Sequence, residues 1–200
     1  HKPVNLTAKV NKIEKQLKNM SEMKFHDVTS GGGFSTSNPV TISMGAISQG
    51  LTDEGRIGNA INVKSIAFRL EIVGSNSASN STYRVMVVRV KKDPIDVNEI
   101  IDTLGANVLG YRNTDYTKDY QVVYDKWGVL NNAPYWDSTA SAVAYSGYRT
   151  KKDFYKVVNV VSKFDGTTGS ATAGDNYYTI LFTGDSASLA YFYESRIRYL

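Results

Sequence analysis

From residue 40 to its C-terminal end, the sequence consists of short segments rich in Val, Ile, Tyr and Phe, which alternate with clusters of Gly, Asn, Asp and Ser. Such segments are typical of strands joined by turns, and the clearest lie at residues 40–47, 57–73, 83–90, 120–125, 154–164, 177–183 and 189–199. Long helices do not alternate with them, and no repeat of roughly 20 to 50 residues is visible. The pattern therefore predicts an all-β fold. The simplest architecture for it is an antiparallel jelly roll, a two-sheet sandwich of eight strands.

The long segment at residues 57–73 changes phase part of the way along. In its C-terminal half, the apolar residues that share one face are Ile66, Phe68, Leu70 and Ile72. In its N-terminal half, Ile61 and Val63 fall on the opposite face. A change of phase within a strand predicts a β-bulge or a bend.

A short helix is predicted to begin at Asp96, between two strands. Asp96 and Glu99 have the spacing of a capping box, in which each side chain accepts a hydrogen bond from the other residue's backbone. The apolar residues Ile100, Ile101 and Leu104 follow, so we expect an inserted helix there.

The N-terminal segment follows a different rule, because its apolar residues recur at steps of four and three, at Leu6, Val10, Ile13, Leu17 and Met20. This heptad spacing is typical of a coiled coil. Pro3 suits the first turn of a helix, and the run Gly31-Gly32-Gly33 is interpreted as a flexible joint. The sequence therefore predicts a helical arm at residues 1–23 and a jelly-roll domain at residues 24–200.

Charge is divided unequally between these two parts. Residues 1–24 contain six lysines and two glutamates and so carry the whole net charge of +4, whereas the remainder contains 17 basic and 17 acidic residues. A basic arm on a neutral body is expected of a protein whose arm contacts a polyanion. The candidate nucleic-acid-binding residues are Lys2, Lys9, Lys12, Lys15, Lys18 and Lys24. The alternative is that these lysines only solvate a helix packed on its own domain.

Residue types for common catalytic chemistry are scarce. The sequence has no cysteine, and its two histidines, His1 and His26, both lie in the region of the arm. These facts exclude thiolate chemistry, and they exclude a Ser-His-Asp triad or a multi-histidine metal centre inside the body. The glycines at 31–33 lack the lysine and the following helix of a phosphate-binding loop. We therefore expect no catalytic residues, no cofactor and no enzyme activity.

Acidic turns are the remaining candidates for binding a metal ion. Asp53-Glu54, Asp115 with Asp119, Asp175 and Asp185 could supply oxygen ligands to Ca²⁺ at a junction between subunits. None has the spacing of a calcium-binding loop, so solvated turns are the favoured interpretation and no metal site is assigned. No apolar run approaches the roughly 20 residues needed to cross a bilayer, and no membrane contact is expected.

Four stretches, taken in order along the chain, resemble one family. In residues 47–66, Ile47-Ser-Gln-Gly50 leads through an acidic loop to Arg56-Ile-Gly58 and a long strand. The others are strand 83–90 with the Lys91-Lys-Asp-Pro94 turn and short helix after it, residues 120–126, and residues 191–199 with their Ser195-Arg196 pair. In these stretches the chain resembles the single jelly-roll capsid (coat) proteins of small icosahedral viruses, namely the circular Rep-encoding single-stranded DNA viruses and the satellite tobacco necrosis virus type.

The resemblance implies a viral structural protein and a component of the virion. A protein of this kind self-assembles inside the host cell into a small, T=1-like icosahedral shell, and it packages a single-stranded genome through its basic arm. Its partners would be copies of itself and that genome, which could be DNA or RNA. The host receptor stays open.

The heptad register suggests how the arm works. Its apolar residues fall at positions a and d of the heptad. Their combination favours coiled coils of more than two helices. We therefore expect a parallel three-helix bundle on a threefold axis of the shell. About two heptads are marginal alone, so the bundle would form only when body contacts gather three arms. The outward face of that bundle then carries the lysines expected to contact phosphates, Lys12, Lys15 and Lys18.

A contact between subunits is predicted in residues 127–148, an aromatic segment with little strand periodicity. Its candidate contact residues are Tyr135, Trp136, Tyr145 and Tyr148. The alternative is a loop that folds on its own core.

Two other functions stay open. The first is a carbohydrate- or receptor-binding jelly-roll module, in which exposed aromatic residues would form a sugar platform. The second is a secreted, trimeric, cytokine-like jelly roll. The first does not explain a basic heptad arm, and the absence of cysteine and of a secretory signal pattern counts against the second. Particle size distinguishes both from a shell protein.

Overall fold

A computed structural model of the chain describes Thr7, Lys9 to Asn11 and residues 23–52, 54–74, 80–91, 95–102, 108–146, 148–165, 173–185 and 189–200. Thr7 and Lys9 to Asn11 are helical. From residue 23 onward, the described part contains one short helix, α1 (Val97–Ile100), and thirteen strands: β1 (Lys24–Phe34), β2 (Val40–Ser43), β3 (Ala60–Val73), β4 (Ser81–Val90), β5 (Ile101–Asp102), β6 (Tyr111–Arg112), β7 (Tyr120–Leu130), β8 (Ala133–Asp137), β9 (Ala142–Ser146), β10 (Arg149–Phe164), β11 (Ala173–Asp175), β12 (Tyr177–Gly184) and β13 (Leu189–Tyr199).

Two antiparallel sheets form a sandwich. One has the strand order β1-β13-β3-β10-β11 and the other has the order β2-β12-β4-β7, while β5 pairs with β6 and β8 pairs with β9. The pairings nest, because β1 pairs with β13, β2 with β12, β3 with β10 and β4 with β7. The chain is therefore an all-β sandwich whose first and last long strands lie side by side.

Aromatic residues fill the space between the sheets. Phe68 of β3 lies 5.5 Å from Tyr124 of β7, and Phe182 of β12 lies 4.8 Å from Tyr191 of β13, both measured between ring centroids. Such pairs contribute about 0.5–1.5 kcal/mol each beyond the area they bury. In β13 buried and exposed residues alternate along the whole strand, so one face of the five-stranded sheet covers the core and the other faces outward.

The middle of the four-stranded sheet, at β12 and β4, is covered on both faces. Every residue of β12 is buried, and residues 95–102 and 108–120 supply outer cover. Within that cover the Tyr120 hydroxyl donates to the backbone oxygen of Ile100 or Asn113, at 3.2 and 2.6 Å. The five-stranded sheet is thus the one whose outer face is available.

All seven strands predicted from the sequence are present, with shifted ends. The strand predicted at residues 40–47 is shorter than expected, because β2 ends at Ser43 and the chain then turns inward to bury Met44 and Ile47. The predicted bulge is confirmed in β3, where Ser65 pairs with Arg198 of β13 and Val63 pairs with Tyr199, leaving Lys64 as the extra residue.

The capping box is confirmed, although the helix is one turn long. Asp96 accepts a hydrogen bond from the Asn98 backbone, Glu99 accepts one from the Asp96 backbone, and both partners of the box are present. Ile101 is extended, with φ −116° and ψ 116°, so the helix ends at Ile100 and β5 begins. Leu104 lies outside the described residues.

The prediction of a flexible joint at Gly31-Gly32-Gly33 is wrong. These glycines lie in β1 and pair with Phe192, Tyr191 and Ala190 of β13. A Cβ on Gly31 would lie 3.3 Å from the Tyr191 backbone oxygen, and one on Gly32 would touch the Tyr191 ring. Glycine therefore lets this strand lie close to large aromatic side chains.

The prediction of an irregular loop at residues 127–148 is also wrong. β7 continues to Leu130, and β8 and β9 then form a hairpin in which Trp136 pairs with Val143. The sequence hides this hairpin because its residues are largely exposed on both faces, so the alternation of apolar and polar residues that identifies a half-buried strand is missing.

Candidate assembly and nucleic-acid surfaces

The loop before β3, which contains the motif of the family resemblance, is built around a buried arginine. Arg56 is fully buried, and its Nε donates to the Ile47 backbone oxygen at 3.0 Å. Its Nη1 donates to the Gly58 backbone oxygen and, at 3.2 Å, to Asn59 Oδ1. The guanidinium also lies 4.4 Å from the centroid of the Phe164 ring. The buried Arg56 side chain thus stabilises the loop through hydrogen bonds to residues on both sides of it in the sequence.

Backbone contacts explain the glycines of the same motif. Gly50 N donates to the Arg56 oxygen at 3.1 Å, and Arg56 N donates to the Ser48 oxygen at 2.9 Å. A Cβ on Gly55 would lie 2.7 Å from the Gly50 oxygen, and Gly58 has a φ of +85°. The motif therefore encodes one rigid loop conformation.

This rigid loop holds large apolar side chains in solvent. Leu51 is 91% exposed, and Ile57 is also exposed. A depression of about 350 Å³ lies between them, and its lining includes Gln49 and Arg56. Rigidly held apolar side chains of this kind are suited to contact with another protein.

The same loop is tied to the first and last long strands. Lys24 Nζ donates to the backbone oxygens of Thr52 and Gly55, both at 2.9 Å, and the Tyr199 hydroxyl donates to the Glu54 oxygen at 2.9 Å. Burial and the nearby Glu54 carboxylate raise the pKa of Tyr199 to about 12. Burial lowers the pKa of His26, although Glu54 and Asp27 act in the opposite direction. The arm leaves the body at this corner.

The structure describes only part of the predicted arm. Lys9 and Val10 are helical and exposed, which agrees with a helix at these positions. Lys24 lies in β1 rather than in the arm, and its ammonium group contacts the loop. The other predicted arm residues lie outside the described residues: Lys2, Leu6, Lys12, Ile13, Lys15, Leu17, Lys18 and Met20.

A second exposed surface lies on the outer side of β7. Trp127 is 64% exposed and pairs across the sheet with Arg84, whose guanidinium donates to the Gly110 oxygen. Gly110 lies between the exposed residues Leu109 and Tyr111. Trp127 and this short segment therefore form one apolar surface.

An ion-pair network fixes that surface. Asp125 accepts from Arg84 Nε and Nη2, both at 2.9 Å, and from Arg112 Nε at 3.0 Å. Burial opposes ionisation of Asp125, but the hydrogen bonds and charges of Arg84 and Arg112 outweigh it and hold its pKa below the usual value. Sequence reasoning missed this network, because nothing local links Arg84 to Asp125.

The predicted contact residues lie on the hairpin of β8 and β9 or next to it. Tyr135, Trp136 and Tyr148 are exposed, as is Val143 opposite Trp136. Tyr145 pairs with Pro134 in the hairpin, and its side chain lies outside the described residues. The structure brings this group onto one protruding hairpin and its flank, and their contact with a neighbour stays a prediction.

The outer face of the five-stranded sheet combines charged and aromatic residues. Arg196 and Asp27 form two hydrogen bonds, at 2.7 and 2.5 Å, and the Arg196 guanidinium lies 4.7 Å from the centroid of the Phe25 ring. The hydrogen bond to Arg196 is the main cause that lowers the pKa of Asp27. Next to this pair is a depression of about 540 Å³ above Ala67.

Neither a metal site nor a membrane-spanning helix is present among the described residues. This part of the chain contains no group of three or more His, Cys, Asp or Glu residues arranged to hold a metal ion. Asp185, one of the predicted turn acids, accepts a hydrogen bond from Thr82 N at 2.8 Å. No helix in the same part has the length and apolar character needed to cross a membrane.

Comparison with known proteins gives only remote similarities. No family model matches the chain, and no curated protein matches it. A solved structure of the BFDV capsid protein as a 60-mer aligns over 89% of this chain and 92% of its own, at 7% identity and a TM-score of 0.19. Two strains of infectious bursal disease virus, Gx and Gt, align over 90% of this chain and 41% of theirs, at 10% and 9% identity and TM-scores of 0.20 and 0.17. Values this far below 0.5 do not show a shared fold, and no family is assigned from them.

Proposed function

We propose that this chain is the structural subunit of a closed viral shell, and that it self-assembles and packages single-stranded nucleic acid. The observation that carries the proposal is the set of separate apolar surfaces exposed to solvent around a neutral body. They are the Arg56-held loop with Leu51, the β7 surface with Trp127, and the β8–β9 hairpin with Trp136. A closed shell requires each subunit to offer several different surfaces to its neighbours.

The strand pairing supports a jelly roll of eight strands, the fold we propose for residues 24–200. Eight strands of the two large sheets, β1, β2, β3, β4, β7, β10, β12 and β13, pair from the outside inward, as they would if one long antiparallel hairpin were rolled into two sheets. β5, β6, β8, β9 and β11 are additions to this plan. A single domain of this kind suits the smallest icosahedral lattice, T=1.

The arm is proposed to gather in threes and to face the packaged nucleic acid. Support comes from the heptad spacing of its apolar residues and from the five lysines of residues 1–23. Its point of exit beside the exposed Leu51 also supports a threefold contact, because three arms can meet only if three such corners approach one axis. We propose no enzyme activity and no cofactor, and Ca²⁺ between subunits has no motif in its favour.

Particle size tests this proposal directly. Purified full-length chain should form uniform shells in electron micrographs and in light scattering, and nuclease should fail to degrade nucleic acid inside them. A chain that stays monomeric or trimeric across a range of pH and salt would contradict the proposal. That result would favour a carbohydrate- or receptor-binding module instead.

A further inference from the structure

The depression on the five-stranded sheet has a definite shape that follows from strand register. Ala67 of β3 pairs with Tyr155 of β10 on one side and with Arg196 of β13 on the other. A methyl group therefore lies between two long planar side chains, and a depression of about 540 Å³ results. The two flanking strands are about 10 Å apart, because two strand spacings separate them.

A planar ring can lie in this depression against the Tyr155 side chain. Stacking on one ring face needs about 3.5 Å, the usual carbon–carbon contact distance, so the space of about 10 Å between the flanking strands holds a ring stacked on Tyr155. The Tyr155 side chain is 60% exposed, so its ring is open to a ligand. Arg196 is held in position by Asp27 and Phe25. Tyrosine rings and arginine guanidinium planes are the groups on which proteins stack nucleic-acid bases.

The charged residues around the depression are divided in a way that suits a nucleotide. Two residues along β3 from Ala67, on the same face, Arg69 lies between Asp153 and Glu194, so this end offers carboxylate oxygens. At the other end is Arg198, and within the described residues no carboxylate lies at ion-pair distance from it. One end can therefore accept hydrogen bonds from amino groups, and the other can bind an anion.

We propose that this depression binds one nucleotide of single-stranded nucleic acid. The base stacks on Tyr155 above Ala67, and its exocyclic amino group donates to Asp153 or Glu194. The phosphate binds Arg198. This inference rests on the proposed function, and it adds to the arm a second contact that favours bases with an amino group.

Position in the fold supports the same ligand. The arm continues from β1, the strand next to β13, so nucleic acid held by the arm lies near this sheet. On the other sheet, residues 95–102 and 108–120 cover the outer face of the middle strands. A second depression of about 550 Å³ shares Arg69, Asp153 and Glu194 with the first, and its lining includes the exposed Phe192, which gives space for a neighbouring nucleotide.

The test begins with a full-length chain whose arm no longer binds phosphate. Lysine-to-glutamine substitutions remove the arm charge at residues 2, 9, 12, 15 and 18, while Lys24 is kept because it contacts the loop. Binding of a fluorescent 12-nucleotide oligo(dC) is then measured by anisotropy at low salt. We expect binding to persist, and we expect oligo(dC) to bind more tightly than oligo(dT), because thymine lacks the exocyclic amino group.

Two substitutions address the depression itself in that arm-neutral chain. Tyr155→Ala removes the stacking ring, and Ala67→Leu fills the space, so each should weaken oligo(dC) binding about tenfold. Ala190→Leu is the matched control, since it makes the same change on the same sheet face of β13 outside the depression. Unchanged thermal unfolding of each variant checks that the fold is intact.

The results separate this inference from the proposed function. If the arm-neutral chain binds no oligonucleotide, if Ala67→Leu binds as tightly as Ala190→Leu, or if oligo(dT) binds as tightly as oligo(dC), the inference is overturned. Competition by a neutral oligosaccharide would overturn it as well. Shell formation by the unmodified chain is scored separately, so the proposed function can stand when the nucleotide site does not.

Discussion

Asp125→Asn tests how the inserted segment is fixed on the four-stranded sheet. The Asp125 and Arg84 side chains are only 13% and 9% exposed, and the pair is joined by two hydrogen bonds of 2.9 Å. Arg112 adds a third donor at 3.0 Å, from a side chain that is half exposed. An asparagine keeps one acceptor but turns its amide donors toward two guanidinium groups and leaves the buried Arg84 charge without its counter-ion.

The expected cost is about 3 kcal/mol in the free energy of unfolding. Breaking a buried ion pair by removal of one partner costs roughly 3–5 kcal/mol, and we take the lower end because Asp125 is not fully buried. Arg112→Gln removes only the exposed partner and should cost less than about 1 kcal/mol. The difference in unfolding free energy between the two variants measures how much more the buried Arg84–Asp125 pair contributes than the exposed Arg112–Asp125 pair.

Urea unfolding monitored by tryptophan fluorescence measures both values, and its pH dependence gives a second check. The folded-state pKa of Asp125 is lowered, so its carboxylate stabilises the fold fully above about pH 5 and less as the pH falls through that pKa. The stability gap between the unmodified chain and Asp125→Asn should therefore narrow below about pH 4. A gap under about 1 kcal/mol at neutral pH, or a gap that does not change with acid, would refute the reasoning.

Three further predictions concern the loop, the surface and the arm. Gly55→Ala places a methyl group 2.7 Å from the Gly50 oxygen, so the variant should lose about 1–3 kcal/mol of stability in the same urea assay; an unchanged midpoint would contradict the close approach. Trp127→Ala should leave the unfolding midpoint nearly unchanged but weaken shell formation in light scattering, whereas Tyr116→Ala, in an exposed turn, should affect neither. Normal assembly of the Trp127 variant would exclude the β7 surface as an interface. Substitution of Lys12, Lys15 and Lys18 by glutamine should change how steeply single-strand binding depends on salt. The slope of log K against log salt concentration should fall in magnitude by about 0.7 for each phosphate that is no longer neutralised. An unaltered slope would contradict the arm as the phosphate-binding element.

Strand positions and local motifs were determined by the sequence alone. The alternation in residues 189–199 predicts β13 from end to end, because each apolar residue of that run must reach the core. The phase change in residues 57–73 predicts the bulge at Lys64, and the Asp96 capping box predicts the start of α1. These features depend on neighbours within a few residues, so a linear pattern contains them.

The tertiary structure decided which residues meet. β1 was not predicted, because the need for glycine at residues 31 and 32 comes from their close contact with Tyr191. Tyr191 belongs to a strand that lies more than a hundred residues away in the sequence. Arg84 meets Asp125, and Ala67 lies between Tyr155 and Arg196, only because strand register aligns them. A shift of one residue would turn each side chain to the opposite face, and long-range pairing is set by packing of the whole sandwich rather than by any local pattern.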